Sequence, residues 1–222
     1  MIQFGKFIIF DGIDGSGKGT MIELTQELLF RSGVPSVVSK HPGGTEFGKA
    51  IRRVIFEHPG TREIDPEALE LVFTADHIHN THRLVIPALE SGVWVVADRS
   101  YITTNPVYVQ IPKEQQLPGW FKTRYRGPEY DILFLMDGDP QVFFDRANAR
   151  AEGHQSKKKW NNIESARKFR TSYMNLYSWD ARTVRLHSDA FTPGHLLREH
   201  VAPALVKLGV AIDEETLNRL SA

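Results

Sequence analysis

The chain contains no cysteine among its 222 residues. That excludes disulfides and thiolate chemistry and leaves the redox compartment open. It has no excess charge of either sign, because 27 Lys and Arg stand against 27 Asp and Glu. No global field therefore draws it to nucleic acid or to an anionic membrane surface, and neither is expected as a partner. No apolar run approaches the length of a membrane span, and Met1-Ile2-Gln3-Phe4 lacks the layout of a secretory leader. There is no internal repeat and no low-complexity tract. The length suits one α/β domain over 1–222 with a substantial core.

What is present concentrates first at residues 10–20. Phe10-Asp11-Gly12-Ile13-Asp14-Gly15-Ser16-Gly17-Lys18-Gly19-Thr20 follows the apolar run Phe7 to Phe10 and precedes Met21 to Leu29, whose apolar spacing suits an amphipathic helix. Strand, glycine loop, lysine and helix make a phosphate-binding loop, in which backbone N–H groups and the helix N-terminus surround a polyphosphate. Gly12, Ile13, Asp14, Gly15, Ser16, Gly17, Lys18, Gly19 and Thr20 are the expected ATP-binding residues. Lys18 adds a point charge to the β- and γ-phosphates. The residue after Lys18 is Gly19, and the hydroxyl comes one position later, at Thr20.

Strand-like and helix-like segments alternate, which predicts a parallel sheet covered on both faces. The expected strands are Lys6–Asp11, Pro35–Ser39, Val93–Asp98, Ile132–Asp137 and Thr183–His187. The expected helices are Gly19–Ser32, Glu46–Phe56, Pro66–Ser91, Pro140–Ala151, Ile163–Tyr177 and Pro193–Val206. The fold class is thus a P-loop NTPase, a three-layer α/β/α arrangement around a central five-stranded parallel sheet. Residues 110–129 read as a possible insertion, and residues 151–162, with Lys157-Lys158-Lys159, as a short lid.

Two further motifs carry chemistry. Val93 to Ala97 is an apolar strand ending in Asp98-Arg99, which places a carboxylate at the carboxyl edge of the sheet. There Asp98 can hold Mg²⁺, directly or through water, while Arg99 offers a fixed fork to a phosphoryl group in transit. In isolation the same pair reads as a surface Asp–Arg ending a strand. The third motif is His41-Pro42-Gly43-Gly44-Thr45, a strand–helix turn with Thr45 as N-cap. Arg52 or Arg53, one or two turns on, can reach an acceptor phosphate. Asp76, His79 and His82 share a helical face and offer a possible metal trio, weighed against ordinary helix polar positions.

In this order the motifs resemble the thymidylate kinases. The likeness adds Phe73-Thr74-Ala75-Asp76-His77 with Pro87-Ala88-Leu89, and Leu135-Met136-Asp137-Gly138-Asp139-Pro140. The resemblance implies transfer of the ATP γ-phosphate to dTMP or another nucleoside monophosphate, with Mg²⁺ near Thr20 and Asp98. It implies Asp14 near the sugar 3′-hydroxyl, Arg52 and Arg99 on the acceptor phosphate, and Phe73 stacked on the base. It also implies a homodimer, and ATP use together with the missing secretory signal favours the cytoplasm.

The departures touch base and sugar recognition. His77 stands where the family has an arginine for the thymine carbonyl. Tyr108 comes one position later than the family tyrosine that faces a 2′-hydroxyl, and Asn161-Asn162 replaces a lid Asp-Arg. One branch of the family places its transition-state arginine inside the phosphate loop, where this chain has Gly15; the other takes it from the lid. Arg146, Arg150 or the lysine triplet must then supply it, and Arg150 is the expected choice. The expected catalytic set is Lys18, Asp98, Arg99 and Arg150. Two other readings remain open at this level: a deoxynucleoside kinase, whose acceptor is a hydroxyl and needs Asp11 or Asp14 as base, and a binding-only member of the family.

Overall fold

The computed structural model describes residues 4–58, 60, 63–103, 127–150 and 162–221. Five parallel strands, β1 (Phe7–Asp11), β2 (Ser36–Lys40), β3 (Trp94–Asp98), β4 (Ile132–Asp137) and β5 (Thr183–His187), form one sheet in the order β2-β3-β1-β4-β5. Each strand lies within one residue of its expected ends. The three central strands are near-continuous apolar runs because helices cover both of their faces. The edge strands are mostly open, each with one fully buried residue, Ser39 in β2 and Leu186 in β5, and the sheet stops there.

One face carries α1 (Lys18–Arg31) and the C-terminal helices α7 (Pro193–Leu196), α8 (Ala202–Lys207) and α9 (Glu214–Ser221). Their side chains meet Ile8, Phe10, Val96, Phe134, Met136 and Leu186 in one core cluster, with Phe10 and Phe134 stacked at 4.8 Å. The other face carries α3 (Pro66–Asn80), α4 (Ile86–Glu90), α5 (Pro140–Arg150) and α6 (Ile163–Tyr177). Its cluster gathers Phe7, Ile9, Val95, Ala97, Leu133, Leu135, Phe143, Tyr173 and Tyr177. Fully burying each large side chain contributes about 1.5–3 kcal/mol. Helix α2 (Glu46–Glu57) packs on α3 beyond the β2–β3 side.

The helix expected over 66–91 runs its whole length with one irregularity. Thr81–Val85 is a π turn, in which the Ile86 N–H reaches the Thr81 carbonyl. Pro87 follows at once and cannot donate. The C-terminal helix repeats the device: Leu197–Val201 is a π turn closed by the Ala202 N–H, and Pro203 follows. An extra residue per turn accommodates the missing donor without ending the helix.

The chain passes from β3 to β4 across β1, so the crevice opens at the carboxyl end of β1. Register lines up Lys40 with Asp98, Asp98 with Phe10, and Asp11 with Leu135 along that edge. All three motifs found in the sequence leave the sheet there.

Candidate active site

The glycine loop runs from the end of β1 into α1. Lys18 is buried, and its Nζ donates to the carbonyl oxygens of Gly12 at 2.9 Å and Ile13 at 3.0 Å. It also stands 4.0 Å from the Asp14 carboxylate. Burial, followed by the Arg99 charge, lowers its pKa to about 8, against the pull of Asp14, Asp98 and Asp11. Gly15 has φ +82°, and a Cβ there would collide with the Phe143 carbonyl oxygen of α5. The first turns of α5 thus press on the loop and admit no side chain at this position.

A cavity of ≈ 410 Å³ lies beside the loop, lined by Gly15, Ser16, Gly17 and Thr20 on one wall and by Arg146, Ser188 and Phe191 on the other. Ser188 Oγ donates to the Ser16 carbonyl at 2.7 Å, and Arg146 Nη1 donates to the Ser188 carbonyl at 3.0 Å. The loop after β5 and helix α5 are thereby tied to the phosphate loop.

Arg99 organises the centre. It is the one non-glycine residue with positive φ among those described, at φ 70°. A left-handed conformation costs such a residue on the order of 1–3 kcal/mol. Its N–H donates to the Phe10 carbonyl at 3.0 Å, pinning the turn after β3 to β1. Nη2 donates to Asp14 at 2.7 Å, and Nη1 donates to Asp11 at 3.0 Å and to the Tyr173 hydroxyl at 3.2 Å. Burial acts against its charge, but Tyr173, Asp14, Asp11 and Asp98 outweigh it and raise the pKa. Around Asp14, the upward pull of desolvation is overcome by Arg99, Lys18 and Arg52, which hold the carboxyl at about 2.

Asp11 is fully buried and accepts four hydrogen bonds. They come from the Gly12 N–H at 2.8 Å, Arg99, Tyr173 at 2.7 Å and Thr103 at 2.6 Å. Asp98, beside it on β3, is partly exposed and stands 3.8 Å from Lys40 Nζ.

On the other side of the crevice, Thr45 caps α2 by accepting from the Gly48 N–H at 3.0 Å. Arg52, one turn further, donates to the Pro42 carbonyl at 3.2 Å and lies over the Phe56 ring. Its charge is felt at Asp14, whereas Arg53 is exposed. Helices α2 and α3 approach so closely at Gly48 that a Cβ there would strike the Asp76 carboxylate. Asp76 is buried, 3.3 Å from His41 Nδ1, and accepts from the Gly43 N–H at 3.2 Å. His77 is buried between the rings of His41 at 5.2 Å and Tyr101 at 5.7 Å. Phe73, one turn before His77 on α3, is half-buried.

The expected site residues Lys18, Asp14, Arg52, Asp98 and Arg99 therefore gather along one sheet edge. Tyr108, Lys157–Lys159 and Asn161 lie outside the described residues, as does the side chain of Arg150. Asn162 caps α6, accepting from the Ser165 N–H at 2.8 Å. The metal trio at 76, 79 and 82 separates: Asp76 turns inward to His41, His79 meets the Phe47 ring, and His82 is exposed. Among the described residues no group of three or more His, Asp or Glu is arranged to hold a metal ion. Sequence reasoning missed Tyr173, which reaches Asp11 from 162 residues away. It placed Asp137 at the end of a strand but missed its partners, Arg170 and Arg185, which bind the buried carboxylate at 2.6 and 2.5 Å. No local pattern announces either contact.

Comparison with known proteins agrees with this geometry. The family model described as thymidylate kinase matches residues 10–190. The thymidylate kinase of Carboxydothermus hydrogenoformans is 32% identical over 150 residues, covering 67% of this chain and 73% of its own. The probable thymidylate kinase of Pyrococcus abyssi is 32% identical over 175 residues, with 78% and 82% covered. That of Trichodesmium erythraeum is 29% identical over 204 residues, with 84% and 89% covered. A match that starts at the last residues of β1 and ends just past β5 takes in every element that builds the crevice, and the chain belongs to the thymidylate kinase family of ATP-dependent phosphotransferases.

Proposed function

We propose that the protein transfers the γ-phosphate of ATP to dTMP, giving dTDP and ADP. The observation that carries this reading is the pairing of Arg99 with Lys18 and Arg52 around one loop carboxylate, Asp14. Arg99 and Lys18 stand beside that carboxylate and the Arg52 charge reaches it, while neither Asp11 nor Asp14 is a competent general base. Asp11 is closed off by its four donors, and Asp14, held at about 2, is far from the pKa near operating pH that an efficient base requires. A nucleoside hydroxyl needs such a base. A monophosphate does not, because its second proton leaves near pH ~6.

In this reading an acceptor phosphate oxygen attacks the γ-phosphorus in line as the bond to the β,γ-bridging oxygen breaks. The loop N–H groups and Lys18 hold the donor phosphates, and the cavity next to the loop takes the rest of ATP, with Arg146 beside it. Arg52 and Arg99 hold the acceptor phosphate, Phe73 and His77 face its base, and Asp14 its sugar. Arg150 remains the proposed transition-state cation, and Tyr108 a sugar contact. Positioning and charge neutralisation supply the rate. Thr20 and Asp98 fit Mg²⁺, since a hydroxyl at the loop and a partly exposed carboxylate are hard oxygen donors. Bound with ATP, the ion neutralises the β- and γ-phosphate oxygens. We extend the reading to a single kinase domain over 1–222 acting as a cytoplasmic homodimer.

ADP formation from MgATP, measured with dTMP, dUMP, dCMP, dGMP, dAMP, their ribonucleotides and thymidine, tests the proposal, with Lys18→Ala as the blank. Preference for dTMP is expected. Turnover with thymidine alone would replace the acceptor, and ATP binding with no turnover would make the protein a binding-only member.

A further inference from the structure

Lys18, Arg52 and Arg99 come from the first half of the chain, and one buried side chain from the second half reaches in among them. Tyr173, in the third turn of α6, is buried and places its hydroxyl between Asp11 and Arg99. The three groups close a triangle. Arg99 Nη1 donates to Asp11 at 3.0 Å and to Tyr173 at 3.2 Å, while Tyr173 donates to the same Asp11 oxygen at 2.7 Å. One turn earlier, Arg170 of the same helix grips Asp137 at the end of β4. Helix α6 is therefore fastened to the sheet edge at the ends of both β1 and β4.

We infer that Tyr173 is a positioning residue, which acts through Asp11 to fix the Arg99 guanidinium in the orientation that receives the phosphoryl group. The inference rests on the proposed role of Arg99 at the acceptor phosphate. A guanidinium tied at one nitrogen only can swing about that bond. Here Nη2 is held by Asp14, at the open side of the crevice, and Nη1 by the buried pair behind it, so the plane of the fork is set. Fixed donors stabilise developing charge without reorganising during the reaction. The triangle also sits on the residue whose backbone is held left-handed, so its side-chain bonds help to keep that turn in place. Burial, with the adjacent Asp11 carboxylate, pushes the Tyr173 phenol well above its usual range, so it remains a donor at every working pH.

The test is steady-state kinetics of the intact chain with MgATP and dTMP for Tyr173→Phe, Arg99→Lys and the double variant, with rates normalised to folded protein by circular dichroism. Tyr173→Phe removes one hydroxyl and leaves Asp11 its bonds from Gly12 and Thr103. It is expected to lower kcat about tenfold, the equivalent of one lost hydrogen bond in the transition state, with the KM for ATP unchanged. In the Arg99→Lys background the same change should cost less than about twofold, because the group that it orients is gone. A wild-type rate in Tyr173→Phe, or a tenfold loss repeated in the Arg99→Lys background, would overturn the inference while leaving Arg99 in its role. Wild-type turnover by Arg99→Lys would overturn the role of Arg99 itself and the inference with it.

Discussion

Gly15 lies against the carbonyl oxygen of Phe143, and no side chain fits between them. The contact decides where a transition-state cation can come from. An arginine at position 15 would have to push α5 away from the phosphate loop. Gly15→Arg is therefore expected to destabilise the fold by several kcal/mol, on the scale of combined overpacking and backbone strain, and to lower kcat. Thermal unfolding and turnover, measured together, check this. A stable, faster Gly15→Arg would show that the loop can move to admit the side chain.

The depressed pKa of Lys18 gives ATP binding a pH dependence. Below about 8 the amine of the free protein is charged and can meet the phosphates, and above it the charge is progressively lost. Affinity for ATP should accordingly fall with a unit slope as pH rises through about 8. Calorimetric titration between pH 6.5 and 9.5, with Lys18→Met as the comparison, measures it. Equal affinity across that range in the wild type would show that the Lys18 amine stays charged throughout it, and wild-type affinity in Lys18→Met would remove Lys18 from donor binding.

His77 packs between His41 and Tyr101, at the position where the family resemblance leads one to expect an arginine. His77→Arg is expected to raise kcat/KM for dTMP relative to dCMP about tenfold, the scale of one added hydrogen bond to a base carbonyl. An unchanged ranking of monophosphates would take His77 out of base recognition.

The sheet was readable because the central strands are apolar on both faces and end in chemistry: Asp11 before the glycine loop, Asp98 before Arg99, and Asp137 before Gly138. The helix over 66–90 was readable in extent but not in phase. Its π turn at Thr81–Val85 shifts everything beyond it, so no single helical period relates Asp76 and His77 to Ala88 and Leu89. The same limit applies to the metal face weighed against ordinary polar positions, where spacing alone grouped Asp76 with His82 and packing separated them. The centre was half legible. Lys18, Asp98 and Arg99 stand in local motifs, whereas the roles of Asp11 and Tyr173 exist only once β1 and α6 are side by side. Long-range hydrogen bonds leave no periodic trace in a chain.

The left-handed backbone of Arg99 limits what can replace it. Glycine or asparagine would adopt that conformation at less cost but would bring no charge to the crevice. Lysine would bring the charge and share the backbone cost, but it lacks the planar fork that binds Asp11 and Asp14 at once. None of the twenty residues satisfies both demands without penalty. Selection at this position cannot trade strain for comfort, and any relief has to arise in its neighbours, through changes that hold the turn more firmly.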